Sequence, residues 1–201
     1  MKTLALDASN LPEYAFGARD PMFWGVAGLL AIESTMIGML VAGYFYVRSK
    51  FVPWPPSPLA LSARLAASAE LALLFASVVP TELMNRAAKR MDLFGARRWL
   101  VVLTLVGVVL LALRVFQIGA IGFRWDANAY GSMFWALVGL QTLHLLAGVG
   151  ENVLFSILTY RGPIEKKFMV DMHVNGLYWY FVVAGWLVVY AVLYVEPVIG
   201  A

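Results

Sequence analysis

Five long apolar runs, separated by short polar connections, dominate the sequence. They lie near residues 22–47, 59–85, 98–121, 130–159 and 172–195, and each is bounded by charged residues, prolines or interfacial aromatic side chains. A helix rises about 1.5 Å per residue, so each run is long enough to cross the roughly 30 Å hydrocarbon layer of a bilayer. The pattern predicts an all-α membrane protein, a bundle of five transmembrane helices.

The positive charges distinguish the two ends of this bundle. With five spans, the N-terminal tail and the second and fourth connections lie on the same side of the membrane. Leaving aside Arg114 within the third run, that side holds ten Lys and Arg residues and the opposite side holds four. The positive-inside rule then places the N-terminus in the cytoplasm and the C-terminus outside. We expect residues 1–21 to form a cytoplasmic tail and 22–201 a single transmembrane domain. The tail shows no cleavable signal-peptide pattern, so we expect the first span to direct insertion.

The composition excludes several other classes of protein. With 62% hydrophobic and 13% charged residues, the chain does not resemble an ordinary soluble domain. The basic residues lie in short connections and form no long patch, so we expect no nucleic-acid partner. The chain has no cysteine, which excludes disulfides, iron–sulfur clusters and thiolate metal sites.

Charged and polar residues inside the apolar runs are the candidates for function. Glu33 lies near the midplane of the first span, where an ionised carboxylate facing lipid costs about 2.5–3.5 kcal/mol, so the other helices should bury it. Glu70 in the second span and Arg114 in the third lie at similar depths, and we expect them to form an ion pair.

The fourth span carries a polar face. Gln141, His144 and Asn152 share it by helical geometry, Glu151 joins it, and Glu33 is one candidate partner for it. Two interpretations stay open: a proton relay or ligand site, or a hydrogen-bonded seam between helices. His144 and His173 differ too much in depth to ligate one haem, and no zinc-type spacing is present. We therefore expect no catalytic, cofactor or metal site in this chain.

Three segments, in order, resemble subunit III of the haem–copper terminal oxidases, the cytochrome c and quinol oxidase family. The family's glutamate-bearing helix is similar to the segment IESTMIGMLVAGYFYVRS. Its next signature is similar to LALRVFQ followed by NAYGSMFWALVGLQTLHLLAG, and its last helix is similar to LYWYFVVAGWLVVY. The span count resembles the bacterial five-helix form. Glu33 matches the family's buried carboxylate and His144 the second histidine of its HGxH motif. The chain departs from the family pattern at Gln117, Gln141, Tyr180 and Val183.

The resemblance implies a non-catalytic subunit of an oxidoreductase complex in the bacterial cytoplasmic (inner) membrane. Haem and copper are expected in a partner, catalytic subunit I. This chain would pack against subunit I and other oxidase subunits, bind phospholipid, and support proton uptake and stable turnover. The residues expected to serve lipid binding or the proton path are Glu33, Glu70, Arg114, Gln141, His144 and Glu151.

Three rival functions follow from the same residues. An accessory subunit of a nitric oxide reductase would show the same resemblance, because its partner also belongs to the haem–copper group. A small proton-coupled permease would line its path with the carboxylates and His144. A redox anchor would carry quinone or haem b in the isolated chain.

Overall fold

The protein folds as five long helices, which a computed structural model describes for residues 15–161 and 166–199. The helices are α1 (Pro21–Arg48), α2 (Leu61–Lys89), α3 (Leu93–Gly119), α4 (Ala129–Arg161) and α5 (Lys166–Tyr190). A 3-10 turn, Gly17–Arg19, precedes α1, while a π-helical segment, Ala191–Val195, and a short helix, α6 (Glu196–Ile199), follow α5. The described residues form no strand. The prediction of an all-α bundle with five helices long and apolar enough to span a membrane is confirmed.

Most helices extend a few residues beyond the predicted apolar runs. The second continues to Lys89 and the third begins at Leu93, so the polar connection between them shrinks to three residues. Hydropathy marks only the part of a helix within the hydrocarbon layer, whereas the helix continues into the interfacial region. The expected tail lies mostly outside the described residues, because the description begins at residue 15.

Side chains that accept hydrogen bonds begin three of the helices. Asp20 accepts from the backbone N–H of Met22 at 3.1 Å, and Pro21 then opens α1. Asp92 accepts from Gly95 N at 3.0 Å at the start of α3. Asn128 accepts from the N–H of the third residue of α4 at 2.8 Å. Such caps satisfy N–H groups that the helix itself leaves free.

Contacts between residues far apart in the chain show that successive helices run in opposite directions. Phe16, before α1, packs against His173 at the start of α5, with ring centroids 5.8 Å apart. Tyr44, near the end of α1, donates a hydrogen bond to Glu196, just after α5. These two contacts show that α1 and α5 run in the same direction. Arg97, at the start of α3, donates to the carbonyl oxygen of Thr159, near the end of α4, and only three residues join α2 to α3. The starts of α1, α3 and α5 therefore share one end with the ends of α2 and α4. We call it the basic end, because it carries most of the Lys and Arg residues.

The core lies between α2, α3, α4 and α5, where small residues allow close approach. A Cβ at Gly107 of α3 would lie 2.8 Å from Val149 of α4, and one at Gly148 would lie 3.2 Å from the ring of Trp179 of α5. The indole of Trp179 donates to Ser77 Oγ of α2 at 2.8 Å. These contacts join all four helices at one level of the bundle.

The first helix is peripheral. It contacts α4 and α5, but only Ile37 and Tyr44 are buried among its 28 residues. A Cβ at Gly25, Gly28 or Gly38 would meet nothing within 4 Å. One long side of α1 therefore faces away from the bundle.

Candidate functional site: a polar seam between helices α1, α4 and α5

Glu33 of α1 and His144 of α4 form the centre of the polar seam. Their closest atoms, Glu33 Oε2 and His144 Nε2, lie 2.9 Å apart. The His144 side chain is 7% exposed, whereas the Glu33 side chain is 23% exposed. The expectation that the other helices bury Glu33 is thus met only in part, because α1 lies at the edge of the bundle and turns its outer side away.

The surroundings of His144 limit the hydrogen bonds that its imidazole can make. An ionised carboxylate only accepts hydrogen bonds, so an ionised Glu33 requires that His144 Nε2 carry a hydrogen. The Phe181 ring packs edge-on against the imidazole, with centroids 5.2 Å apart. His144 Nδ1 is buried and has no hydrogen-bond partner in the described part of the chain. The imidazole therefore joins α1 to α4 through a single side-chain hydrogen bond.

Two amide side chains extend the seam along α4. Gln141 donates to the carbonyl oxygen of Val182 at 2.8 Å, and Asn152 accepts from Asn175 at 2.8 Å. Gln141, His144 and Asn152 are all buried, as expected for residues that share the inner face of α4. Both amides join α4 to α5, which agrees with the interpretation of this face as a hydrogen-bonded seam between helices.

Glu151 does not belong to this buried seam. It is exposed and lines a cavity of about 250 Å³ between α1, α4 and α5. Asp171, Asn175 and Tyr178 of α5 line the same cavity, together with apolar side chains of α1 and α4. The cavity lies in the half of the bundle nearer the basic end. It thus combines apolar walls with two carboxylates.

Tyr178 lies between the cavity and the Glu33–His144 pair. Its ring lines the cavity, and its hydroxyl lies 3.5 Å from the carbonyl oxygen of His144, which is a long hydrogen bond. Sequence analysis missed Asp171, Asn175 and Tyr178. Their spacing of four and three residues places them on one side of α5, and that spacing was the available signal.

Glu70 and Arg114 form a second polar centre, between α2 and α3. Arg114 Nε and Nη2 both donate to Glu70 Oε1, at 3.0 Å and 2.7 Å. The two side chains are 0% and 1% exposed. The predicted contact is therefore present, but it lies apart from the Glu33–His144 pair and nearer the other end of the bundle.

No group of three or more His, Asp or Glu side chains that could hold a metal ion occurs in the described ranges. His173 packs against Phe16 at the basic end, and His144 pairs with Glu33. The two histidines thus lie on different helices, α4 and α5, and at different levels of the bundle. They do not converge on a common centre.

The comparison with known proteins identifies the family. The sequence model of cytochrome c oxidase subunit III matches residues 61–197. The chain belongs to the cytochrome c oxidase subunit III family. It is 30% identical over 169 residues to a "Probable cytochrome c oxidase subunit 3" of Nocardia farcinica, which covers 82% of this chain and 83% of the relative.

Two further relatives agree with this assignment. A "Cytochrome c oxidase subunit 3" of Thermostichus vulcanus is 25% identical over 175 residues, covering 85% of each chain. One from Synechocystis is 24% identical over 181 residues, covering 89% of this chain and 77% of the relative. With its five apolar helices, the chain is a multi-pass membrane protein and a subunit III of a multi-subunit respiratory oxidase complex.

Proposed function

We propose that this chain is a cofactor-free subunit that packs against the haem–copper catalytic subunit I through the outer side of α1, in the bacterial cytoplasmic membrane. The observation that carries the proposal is the exposed outer side of α1, where Ile32 is 63% and Met39 66% exposed on a helix that buries only Ile37 and Tyr44. Glu33 lies at the edge of this surface and is 23% exposed. A partner must cover this part of α1.

The cost of leaving Glu33 uncovered supports a protein partner. An ionised carboxylate at the centre of a bilayer costs about 2.5–3.5 kcal/mol, whereas polar groups of a neighbouring subunit can bind it. Ser34 and Thr35 beside it are exposed as well, and their hydroxyls donate hydrogen bonds to the backbone carbonyls of Leu30 and Ala31. The open glycines of α1 would let a helix of subunit I approach its backbone closely.

The cavity near the basic end supports the proposed roles in lipid binding and proton uptake. Its apolar walls suit the acyl chains of a phospholipid, and Glu151 and Asp171 lie in its lining. Titratable side chains inside a transmembrane bundle often mark proton paths. Tyr178 lines the cavity and donates to the backbone carbonyl of His144, whose imidazole pairs with Glu33. We propose that protons collected here are passed towards subunit I, which holds the haem and copper.

Photo-crosslinking tests the docking surface. The crosslinking amino acid p-benzoylphenylalanine is placed at Met39, which is 66% exposed on α1, or at Val115, which is 72% exposed on α3, as a matched control. In the intact complex, we expect Met39 to capture subunit I and Val115 to capture lipid or detergent. A Met39 product without subunit I would contradict the proposal.

A further inference from the structure

Four buried polar atoms around the Glu70–Arg114 pair have no hydrogen-bond partner among the described residues. Arg114 places two nitrogens on the same carboxylate oxygen, which leaves Glu70 Oε2 and Arg114 Nη1 unpaired. Gln117 Oε1 and Trp186 Nε1 are unpaired as well. All four residues are at most 1% exposed. An unpaired polar atom in an apolar interior costs more free energy than a typical hydrogen bond contributes.

The four residues that carry these atoms belong to one cluster. The guanidinium carbon of Arg114 lies 3.9 Å from the centre of the Trp186 ring. Gln117 follows Arg114 by three residues on the same face of α3, and its amide donates to the hydroxyl of Tyr194. Tyr194 in turn lies 6.2 Å from Trp186, centroid to centroid. The cluster therefore joins α2, α3 and the end of α5.

Simple rearrangement of the side chains does not pair these atoms. Turning over the Gln117 amide would let Tyr194 donate to Oε1, but Nε2 would then become the unpaired atom. A turn of the Glu70 carboxylate could bring Oε2 onto Arg114 Nε or Nη2, but Arg114 Nη1, on the far side of the guanidinium, would still lack a partner. Tyr194 lies in the π-helical segment, and π-helical turns often occur at functional sites.

The chemistry of the unpaired atoms identifies the group that would bind them. Glu70 Oε2 and Gln117 Oε1 accept hydrogen bonds, whereas Arg114 Nη1 and Trp186 Nε1 donate them. Glu70 would repel an anion, and Arg114 would repel a cation. A small neutral molecule that both donates and accepts satisfies the set, and buried water typically makes two to four such bonds. We infer that ordered water binds between Glu70, Arg114, Gln117 and Trp186 as a permanent part of the bundle.

A cryo-electron microscopy map of the intact oxidase complex, at a resolution that shows ordered water, tests the inference. We expect at least one water peak within about 2.7–3.2 Å of two or more of the four atoms. A map in which these atoms are paired with protein or lipid atoms, with no water peak among them, would overturn the inference.

Infrared spectroscopy in H₂¹⁸O provides a second test. Trp186→Phe keeps an aromatic ring under the guanidinium but removes the indole donor. We expect it to change at least one band of internal water that is sensitive to ¹⁸O. Trp99→Phe is the matched control, because Arg98 also lies over that ring, at 5.5 Å, but Trp99 is only partly buried. Identical ¹⁸O-sensitive bands in wild type and Trp186→Phe would contradict the inference.

Discussion

The buried pair of Glu70 and Arg114 allows a quantitative test of how this bundle treats charge. Removing one partner leaves an uncompensated charge in an interior where both side chains are at most 1% exposed. Breaking a buried pair in this way costs about 3–5 kcal/mol, whereas replacing both partners by apolar residues is often neutral or stabilising. We therefore expect Glu70→Leu and Arg114→Met each to destabilise the protein more than the double variant does.

The chain offers a matched control for this experiment. Glu82 and Arg86 form an ion pair with the same 2.7 Å separation, but their side chains are 44% and 64% exposed. Solvent and salt weaken such pairs, and i,i+4 helix pairs contribute about 0.3–0.5 kcal/mol. The two pairs thus differ in burial while sharing chemistry and distance.

The assay is a double-mutant cycle on the free energy of unfolding. It is measured by titrating the detergent-solubilised chain with sodium dodecyl sulfate and following far-ultraviolet circular dichroism. We expect a coupling energy of about 3 kcal/mol for the buried pair. The Glu82→Leu and Arg86→Met cycle should give about 0.3–0.5 kcal/mol. Equal coupling energies for the two pairs would refute the reasoning.

Three further predictions concern other parts of the structure. Glu33→Ala removes the carboxylate of α1 that pairs with His144, so sustained oxygen consumption should fall while the optical spectrum of the oxidase stays unchanged. Asp126→Ala, on an exposed loop, is the control. Gly107→Ala forces a Cβ against Val149 and should cost about 1–3 kcal/mol, whereas Gly139→Ala, with open space, should not destabilise; equal melting temperatures would contradict this. Glu151→Gln combined with Asp171→Asn removes both cavity carboxylates and should slow proton uptake by the oxidase, measured with a pH-indicator dye. An unchanged rate of proton uptake would exclude the two carboxylates from the proton path.

The sequence predicted the helices and one ion pair because both depend on local rules. Apolar runs of spanning length fix the number of helices, and a buried charge needs a nearby opposite charge. These two rules were enough to place Glu70 with Arg114. The inner face of α4 followed from helical spacing alone.

The arrangement of the helices could not be predicted in the same way. Hydropathy does not separate a peripheral span such as α1 from a central one such as α3, because lipid and protein interior are both apolar. For that reason the partial exposure of Glu33 and the separate position of Glu151 were not foreseen. The hydrogen bond between Gln117 and Tyr194 was not foreseen either: Tyr194 lies in the π-helical segment, which departs from the 3.6-residue period on which the helical spacing rules rest.

Purification through an affinity tag on this chain tests the central claim most directly. The optical spectrum and the partner proteins are recorded in mild detergent, and the spectrum is recorded again after a harsher detergent has separated this chain from its partners. The account predicts that a haem- and copper-bearing catalytic subunit co-purifies, and that the separated chain is colourless. A haem band that stays with the isolated chain, or a chain that purifies without any such partner, would contradict it.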